Sequence, residues 1–333
     1  MAELRVTDTR GGLVESQHRV IAVVTDANGD VVASSGTTDG PIFWRSAAKP
    51  FQLWPLVSRG GVAHFGLESR HLALACASHN GEQVHRDVAR EWLRLVGLDE
   101  DALACGGHPS LSPRVAREMI RERVEPTPIH SNCSGKHAAM LGLARMEGWP
   151  TEGYQRLDHP VQQAIAASFA HWAGIDIDQL AWGVDGCTAP AVAAPLDRLA
   201  VAWARLGSSD DPAMSQIRAA MVAHPELVAG SDRLDTLVMT NWPGRVLAKV
   251  GAEGVYAAAI PERGLGLALK VEDGDMGAAG VALLAVLDQL VQHFRWPGDW
   301  SLQQLADWRA PRILSTRGEI TGKSMVEGHL QFT

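Results

Sequence analysis

Arg45-Ser46-Ala47-Ala48-Lys49-Pro50 places a hydroxyl and an amine three residues apart where a helix is expected to begin. Residues at that spacing share one face of a helix, so Ser46 Oγ and Lys49 Nζ are expected to meet. A serine in a first helical turn also lies among free backbone N–H groups, at the positive end of the helix dipole. A weak hydroxyl, an adjacent base and nearby donors are the parts of an activated nucleophile. Alone, the tetrapeptide is unspecific, because an N-cap serine followed by a surface lysine has the same sequence. Its meaning depends on what else the chain carries.

The chain has 333 residues, enough for one large or two ordinary domains. With 46% hydrophobic and 20% charged residues it reads as folded and globular. A formal net charge of −8 and the lack of a basic stripe argue against a nucleic-acid partner. No run approaches the roughly 18 uninterrupted apolar residues of a membrane span, so no membrane association is expected. Met1-Ala2-Glu3-Leu4-Arg5 lacks a basic segment followed by an apolar run. No signal peptide and a cytoplasmic location are therefore expected. Cys76, Cys105, Cys133 and Cys187 are too few for a disulfide framework in so long a chain.

Outward from Ser46, residues 19–36 read as a hairpin, with two β-branched runs flanking Ala27-Asn28-Gly29-Asp30. The segment after Ser46 reads as a helix with Phe51, Leu53, Trp54 and Val57 apolar, ending near Gly60-Gly61. Residues 72–77 are an apolar run leading into Ser78-His79-Asn80-Gly81-Glu82. Helical patterns cover 82–97, 113–123 and 160–173, the last opened by Pro160. Residues 130–137 form a polar loop that opens a further helix. Residues 183–190 form a second polar turn, followed by an expected alanine-rich helix at 191–206. Strands are expected at 246–250, 255–260 and 265–271, the last two antiparallel around Pro261-Glu262-Arg263-Gly264, and a buried apolar helix at 278–292. Strands at both ends with helices between predict an α+β fold whose terminal strands share one sheet.

Three short motifs follow one another: Ser46-x-x-Lys49, Ser78-x-Asn80 and Lys249-x-Gly251. They are degenerate forms of the S-x-x-K, S-D-N and K-T-G set of class A β-lactamases and penicillin-binding proteins. Amide hydrolysis needs a strong nucleophile, a proton shuttle to the leaving nitrogen and a stabilised oxyanion. Two lysines around one site depress each other's basicity, so Ser46–Lys49 and Ser78–Lys249 read as two hydroxyl–amine pairs. Cys133 and Lys136 lie three apart, and Cys187 lies in the other polar turn. Two thiolates can begin a zinc site, but without a C-x-x-C or H-x-x-x-H pair, buried free thiols remain the alternative. Cys76 and Cys105 read as core.

Residues 45–50, Cys76-Ala77-Ser78-His79-Asn80-Gly81-Glu82, 130–137, Val184-Asp185-Gly186-Cys187-Thr188-Ala189-Pro190 and Lys249-Val250-Gly251-Ala252-Glu253-Gly254 resemble the Rhizobium etli-type L-asparaginases. The resemblance runs over about residues 10–275. It implies a fold similar to serine β-lactamases and glutaminases, with one catalytic domain over 1–333 and a helical subregion at about 85–235. It implies hydrolysis of L-asparagine to L-aspartate and ammonia, by acylation of a serine and then hydrolysis of the ester. The catalytic positions fall on Ser46, Lys49, Ser78 and Lys249, with Lys270 as the fallback for the last. Which serine attacks is left open. Zinc is implied at Cys133, Lys136 and Cys187, serving substrate binding. Arg45, Asn80, His137 and Asp185 match positions near the substrate, and a homodimer is implied. The alternatives are a glutaminase, a β-lactamase-like serine hydrolase or a non-catalytic amino-acid-binding protein.

Overall fold

The Asn28-Gly29 turn joins two paired strands in the computed structural model, which describes residues 3–38, 40–301 and 303–333. Met1 and Ala2, at the head of the segment scanned for a leader, lie outside the described residues. Gly29 takes φ +101°, open to glycine, and Asp26 Oδ1 accepts the backbone N–H groups of Asn28, Gly29 and Asp30 at 2.8–2.9 Å. The strands, in chain order, are β1 (Leu4–Arg10), β2 (Leu13–Asp26), β3 (Val31–Ser35), β4 (Pro41–Phe43), β5 (Ala181–Val184) and β6 (Pro190–Pro195). They continue with β7 (Leu247–Val250), β8 (Val255–Ile260), β9 (Leu265–Val271), β10 (Arg312–Leu314), β11 (Ile320–Glu327) and β12 (Gln331–Phe332).

Two compact units emerge. One takes the described residues of Met1–Ile42, Pro195–Ser208 and Asn241–Thr333, the other those of Phe43–Ala194 and Ser209–Thr240. The first is built on a sheet of order β10-β11-β1-β2-β9-β8-β7, with β3 also on β2 and β12 on β3. Its pairings are antiparallel, and N-terminal strands sit among C-terminal ones: Thr7 faces Met325, and Val23 faces Ala268. That is the α+β arrangement expected from the sequence.

Strand β9 shows how this sheet is covered. Its side chains alternate between faces, so Gly266 and Ala268 point one way and Leu265, Leu267 and Leu269 the other. On the small-residue face lies the helix Leu196–Ser208, so close that a Cβ on Gly266 would stand 2.0 Å from Ala200 O. The leucine face is covered by the helix Met276–Phe294, whose start is capped by Asp275 Oδ1 on Ala278 N at 2.7 Å. By length and composition that helix is apolar enough to cross a membrane. Here most of its apolar residues, from Ala278 to Leu290, are buried against β8, β9, β11 and β1, which accounts for the composition.

The second unit is mainly helical. Trp44, Phe51, Phe169 and Trp172 form an aromatic cluster at its centre, with Trp44 edge-to-face 6.4 Å from Phe51 and 6.0 Å from Phe169. The apolar run at 72–77 begins in the helix Ser69–Ala75 and continues past its end. It packs on the helix Ser134–Met146 at Gly135, where an added Cβ would lie 2.3 Å from Leu74 O. One expected element is corrected. The alanine-rich stretch from 191 begins as strand β6, paired antiparallel with β5 from Val184↔Pro190 to Ala181↔Ala193, and the helix starts at Leu196. Pro195 disfavours helical geometry in the residue before it, and alanine's helix preference yields to the ladder.

Candidate active site

Ser46 lies on a 3-10 turn, Arg45–Ala48, that runs directly into the helix Lys49–Ser58. Arg45 holds φ +49°, a left-handed conformation that costs a side-chain-bearing residue energy and clusters at functional positions. Ser46 is half-buried, and its hydroxyl has no hydrogen-bonding partner among the described residues. The expected Ser46–Lys49 contact is replaced by another. The lysine stem runs inward, and Lys49 Nζ meets Ser78 Oγ at 3.0 Å, Asn132 O at 3.3 Å and Ala77 O. Lys49 is 1% exposed.

Ser78 follows the helix Ser69–Ala75 in extended chain. Its N–H and that of Asn80 donate to Val228 O and Ala229 O, each at 2.9 Å. This pins the Ser78-His79-Asn80 segment against a second stretch of the helical unit. Asn80 Nδ2 donates to Asp232 Oδ1 at 2.7 Å, and Asn80 Oδ1 accepts from Arg233 at 3.2 Å. Gly230 makes room for it: at φ +144°, a Cβ there would lie 2.1 Å from Asn80 Nδ2. His79 takes the Gly81 N–H on Nδ1 at 3.0 Å, which leaves Nε2 to donate to Ser134 Oγ at 2.9 Å.

Lys249 and Lys270 belong to the sheet unit. Lys249 is fully buried on β7, with Nζ donating to Val250 O at 3.2 Å. Lys270, on β9, donates to Val271 O and to Glu272 O at 3.3 Å, and burial lowers its pKa.

The two polar turns of the helical unit converge. Cys133 precedes the helix Ser134–Met146, Lys136 lies in its first turn, and Cys187 lies between β5 and β6. Lys136 Nζ donates to Cys187 Sγ at 2.9 Å. Cys133 Sγ donates to Asn132 Oδ1 at 2.9 Å, and the neighbouring Cys133 sulfur, with Lys136 and against burial, lowers the Cys187 thiol to about 4. The Cys187 sulfur, with burial, pushes Cys133 up to about 12. Burial alone would lower Lys136, but the sulfurs of Cys133 and Cys187 and the Asp185 carboxylate outweigh it and raise its pKa.

Asp185 continues this chain of charges. Its Oδ1 accepts from Arg45 at 2.9 and 3.2 Å and from Gly186 N at 2.9 Å. Burial would raise its pKa, but Lys136 and Arg45 hold it below the ordinary aspartate value. His137 is fully buried, with Nδ1 2.6 Å from Tyr154 Oη. Burial, reinforced by Lys136, pushes its pKa down to about 3, so the ring is neutral.

Asn132, Asp232 and Tyr154 join these contacts without having stood out in the sequence. Asn132 sits inside a motif already quoted and contributes through its carbonyl, which any residue carries. Asp232 lies 152 positions from Asn80, and no local pattern links them. Among the described residues no group of three His, Cys, Asp or Glu side chains converges as a metal site. Cys133, Lys136 and Cys187 do converge, and two sulfurs with an amine nitrogen suit zinc in kind.

The profile of the L-asparaginase II family matches residues 6–326. This chain belongs to the L-asparaginase II family. No curated protein matches the chain. Among solved structures it is similar to Mglu at 17% identity, covering 85% of this chain and 63% of that one, with a TM-score of 0.37. It is also similar to a β-lactamase from Mycobacterium bovis at 13% identity, covering 83% and 95%, with a TM-score of 0.43. The chain thus spans under two thirds of the length of Mglu.

Proposed function

We propose that this L-asparaginase II family member hydrolyses L-asparagine to L-aspartate and ammonia, with Lys49 as base and Ser78 as the hydroxyl it activates. One observation carries this reading: the set of partners around Lys49 Nζ. In the neutral form that a base requires, the Lys49 amine has two N–H groups and one lone pair. Ala77 O and Asn132 O are carbonyls and can only accept, so they take the two N–H groups. The lone pair is left for the Ser78 O–H, the partner in this set able to give up a proton. Ser78 Oγ then attacks the side-chain amide carbon while Lys49 takes its proton and passes it to the departing ammonia. The resulting aspartyl ester is cleaved by water, with Lys49 again the base.

Arg45 and Asp185 present opposite charges that suit the carboxylate and ammonium of a free amino acid. Cys133, Lys136 and Cys187 would hold a zinc ion, which when bound supplies a Lewis-acid anchor for a substrate oxygen. The active assembly is proposed to be a homodimer.

The test is ammonia release from L-asparagine and L-glutamine by wild type, Ser78→Ala, Ser46→Ala and Lys49→Met. Asparagine turnover is expected in wild type, with a loss of more than about a thousandfold in Ser78→Ala and Lys49→Met. Some glutamine activity is expected, since one methylene in a pocket discriminates by only about 1–3 kcal/mol. Turnover that survives in Ser78→Ala and disappears in Ser46→Ala would move the attack to Ser46. No ammonia from either amide would sink the assignment.

A further inference from the structure

The two ring nitrogens of His137 are not equivalent. Nδ1 contacts Tyr154 Oη at 2.6 Å, while Nε2 is buried with no hydrogen-bonding partner among the described residues. Tyr154 is itself enclosed, and its Oη accepts the backbone N–H of Ala104 at 2.9 Å.

These contacts fix where the protons sit. A phenol has one proton to donate, and a neutral imidazole has one donor and one acceptor nitrogen. If Nδ1 carried the ring proton, it would donate to Oη, and the phenol proton would be left without an acceptor. Nε2 would then be an unused acceptor, so two buried groups would go unpaired. If the phenol instead donates to Nδ1, every polar atom of the pair is satisfied except the Nε2–H. Buried polar groups without partners are unfavourable, so the arrangement with one orphan prevails over the arrangement with two.

We infer that Tyr154 is a positioning residue that holds His137 in the tautomer protonated on Nε2, making the ring a preset hydrogen-bond donor to an oxygen of the bound ligand. His137 directly follows Lys136, whose Nζ donates to Cys187 Sγ at 2.9 Å, so its neighbours in the fold are side chains of the candidate site itself. An unpaired N–H among them suits a carbonyl or carboxylate oxygen. The ligand's identity as an amino acid amide or its product rests on the function proposed above; the tautomer does not.

The experiment is long-range 1H–15N correlation spectroscopy on histidine-labelled protein, with His137 assigned by the signal lost in His137→Gln. Wild type is expected to show His137 protonated on Nε2, and L-aspartate is expected to shift that resonance. In Tyr154→Phe, which removes a single oxygen, the ring is expected to move toward the other tautomer. Affinity for L-aspartate is expected to fall about tenfold, and KM for asparagine to rise by a larger factor than kcat falls. A wild-type ring protonated on Nδ1, or a Tyr154→Phe ring with an unchanged tautomer, would overturn the inference. So would a wild type that turns over asparagine while L-aspartate leaves His137 Nε2 unmoved. A protein that hydrolyses no amide fails the functional reading, and the wild-type spectrum, taken without ligand, still decides this one.

Discussion

Two glycines in the helix Ser134–Met146 are predicted to respond oppositely to the same substitution. At Gly135 an added Cβ would meet Leu74 O at 2.3 Å, Leu74 C at 2.7 Å and Leu74 Cγ at 2.8 Å. Two of those atoms are backbone and cannot swing aside, so the helix must draw back by about 1 Å to reach ordinary contact. At Gly142 the nearest atoms are Val96 Cγ1 at 3.4 Å and Leu56 Cδ2 at 3.7 Å, already ordinary contacts. Gly142→Ala therefore keeps the gain of replacing glycine inside a helix and is expected to stabilise by about 0.5–1 kcal/mol. Gly135→Ala has a smaller propensity gain in the first turn and a packing cost of about 1–3 kcal/mol, which wins. Urea unfolding of the two variants should therefore differ by about 2–3 kcal/mol, in opposite directions from wild type. Turnover sharpens the test. Withdrawal at Gly135 shifts Asn132 relative to Ala77, and their carbonyls hold Lys49. Gly135→Ala should then lose activity even at temperatures where it is fully folded. A Gly135→Ala variant as stable as Gly142→Ala would refute the packing argument.

Other outcomes follow from charges and donors. Burial holds His71 and His85 below the ordinary histidine pKa, so below about pH 6.5 the unfolded chain binds protons that the folded one does not. Melting temperature should fall from pH 7.5 to 5.5, with His18, raised by Asp273 despite its burial, opposing in part; a rise would contradict the assignment. Asp185→Asn removes the carboxylate shared by Arg45 and Lys136, and should raise KM for asparagine by tenfold or more while changing kcat less; an unchanged KM would remove Asp185 from substrate binding. Metal analysis of protein purified without chelator should find about one zinc per chain, absent from Cys187→Ala. Metal-free wild type of full activity would remove zinc from the proposal.

Much of the fold was legible because local signals agreed with each other. Val255–Ile260 and Leu265–Val271 are apolar runs around a Pro-Glu-Arg-Gly turn, and they form the expected pair. Pro160 and Gly174 bracket a helix as their backbone preferences require. The stretch from 191 to 195 is a strand and not the expected helix because alanine declares no strand preference, and pairing with Ala181–Val184 decides it. Strands β1, β10 and β11 carry no clear apolar alternation, so their period was too weak to see. At the site, residue types were readable but pairings were not. The three-residue spacing of Ser46 and Lys49 predicts a contact only if both sit on one regular helix. Ser46 sits on a 3-10 turn, and a lysine stem is long enough to find a partner 29 positions away.

The sheet also sets a timetable for synthesis. Its early strands β1 and β2 pair with β11 and β9, so Thr7 waits for Met325 and Val23 for Ala268. By the time residue 240 emerges, every segment of the helical unit has been made, while the sheet unit still lacks six of the nine strands found among the described residues. Until then β2 exposes Val20-Ile21-Ala22-Val23-Val24 along an edge with no β9 beside it, the kind of edge that invites pairing between nascent chains. β1 and β3 can shield its other edge at once, because the Asn28-Gly29 hairpin and the turn at Gly11-Gly12 are local. The charges of Arg5, Asp8 and Arg10 on β1 then keep the outermost edge from recruiting a stray strand before β11 arrives.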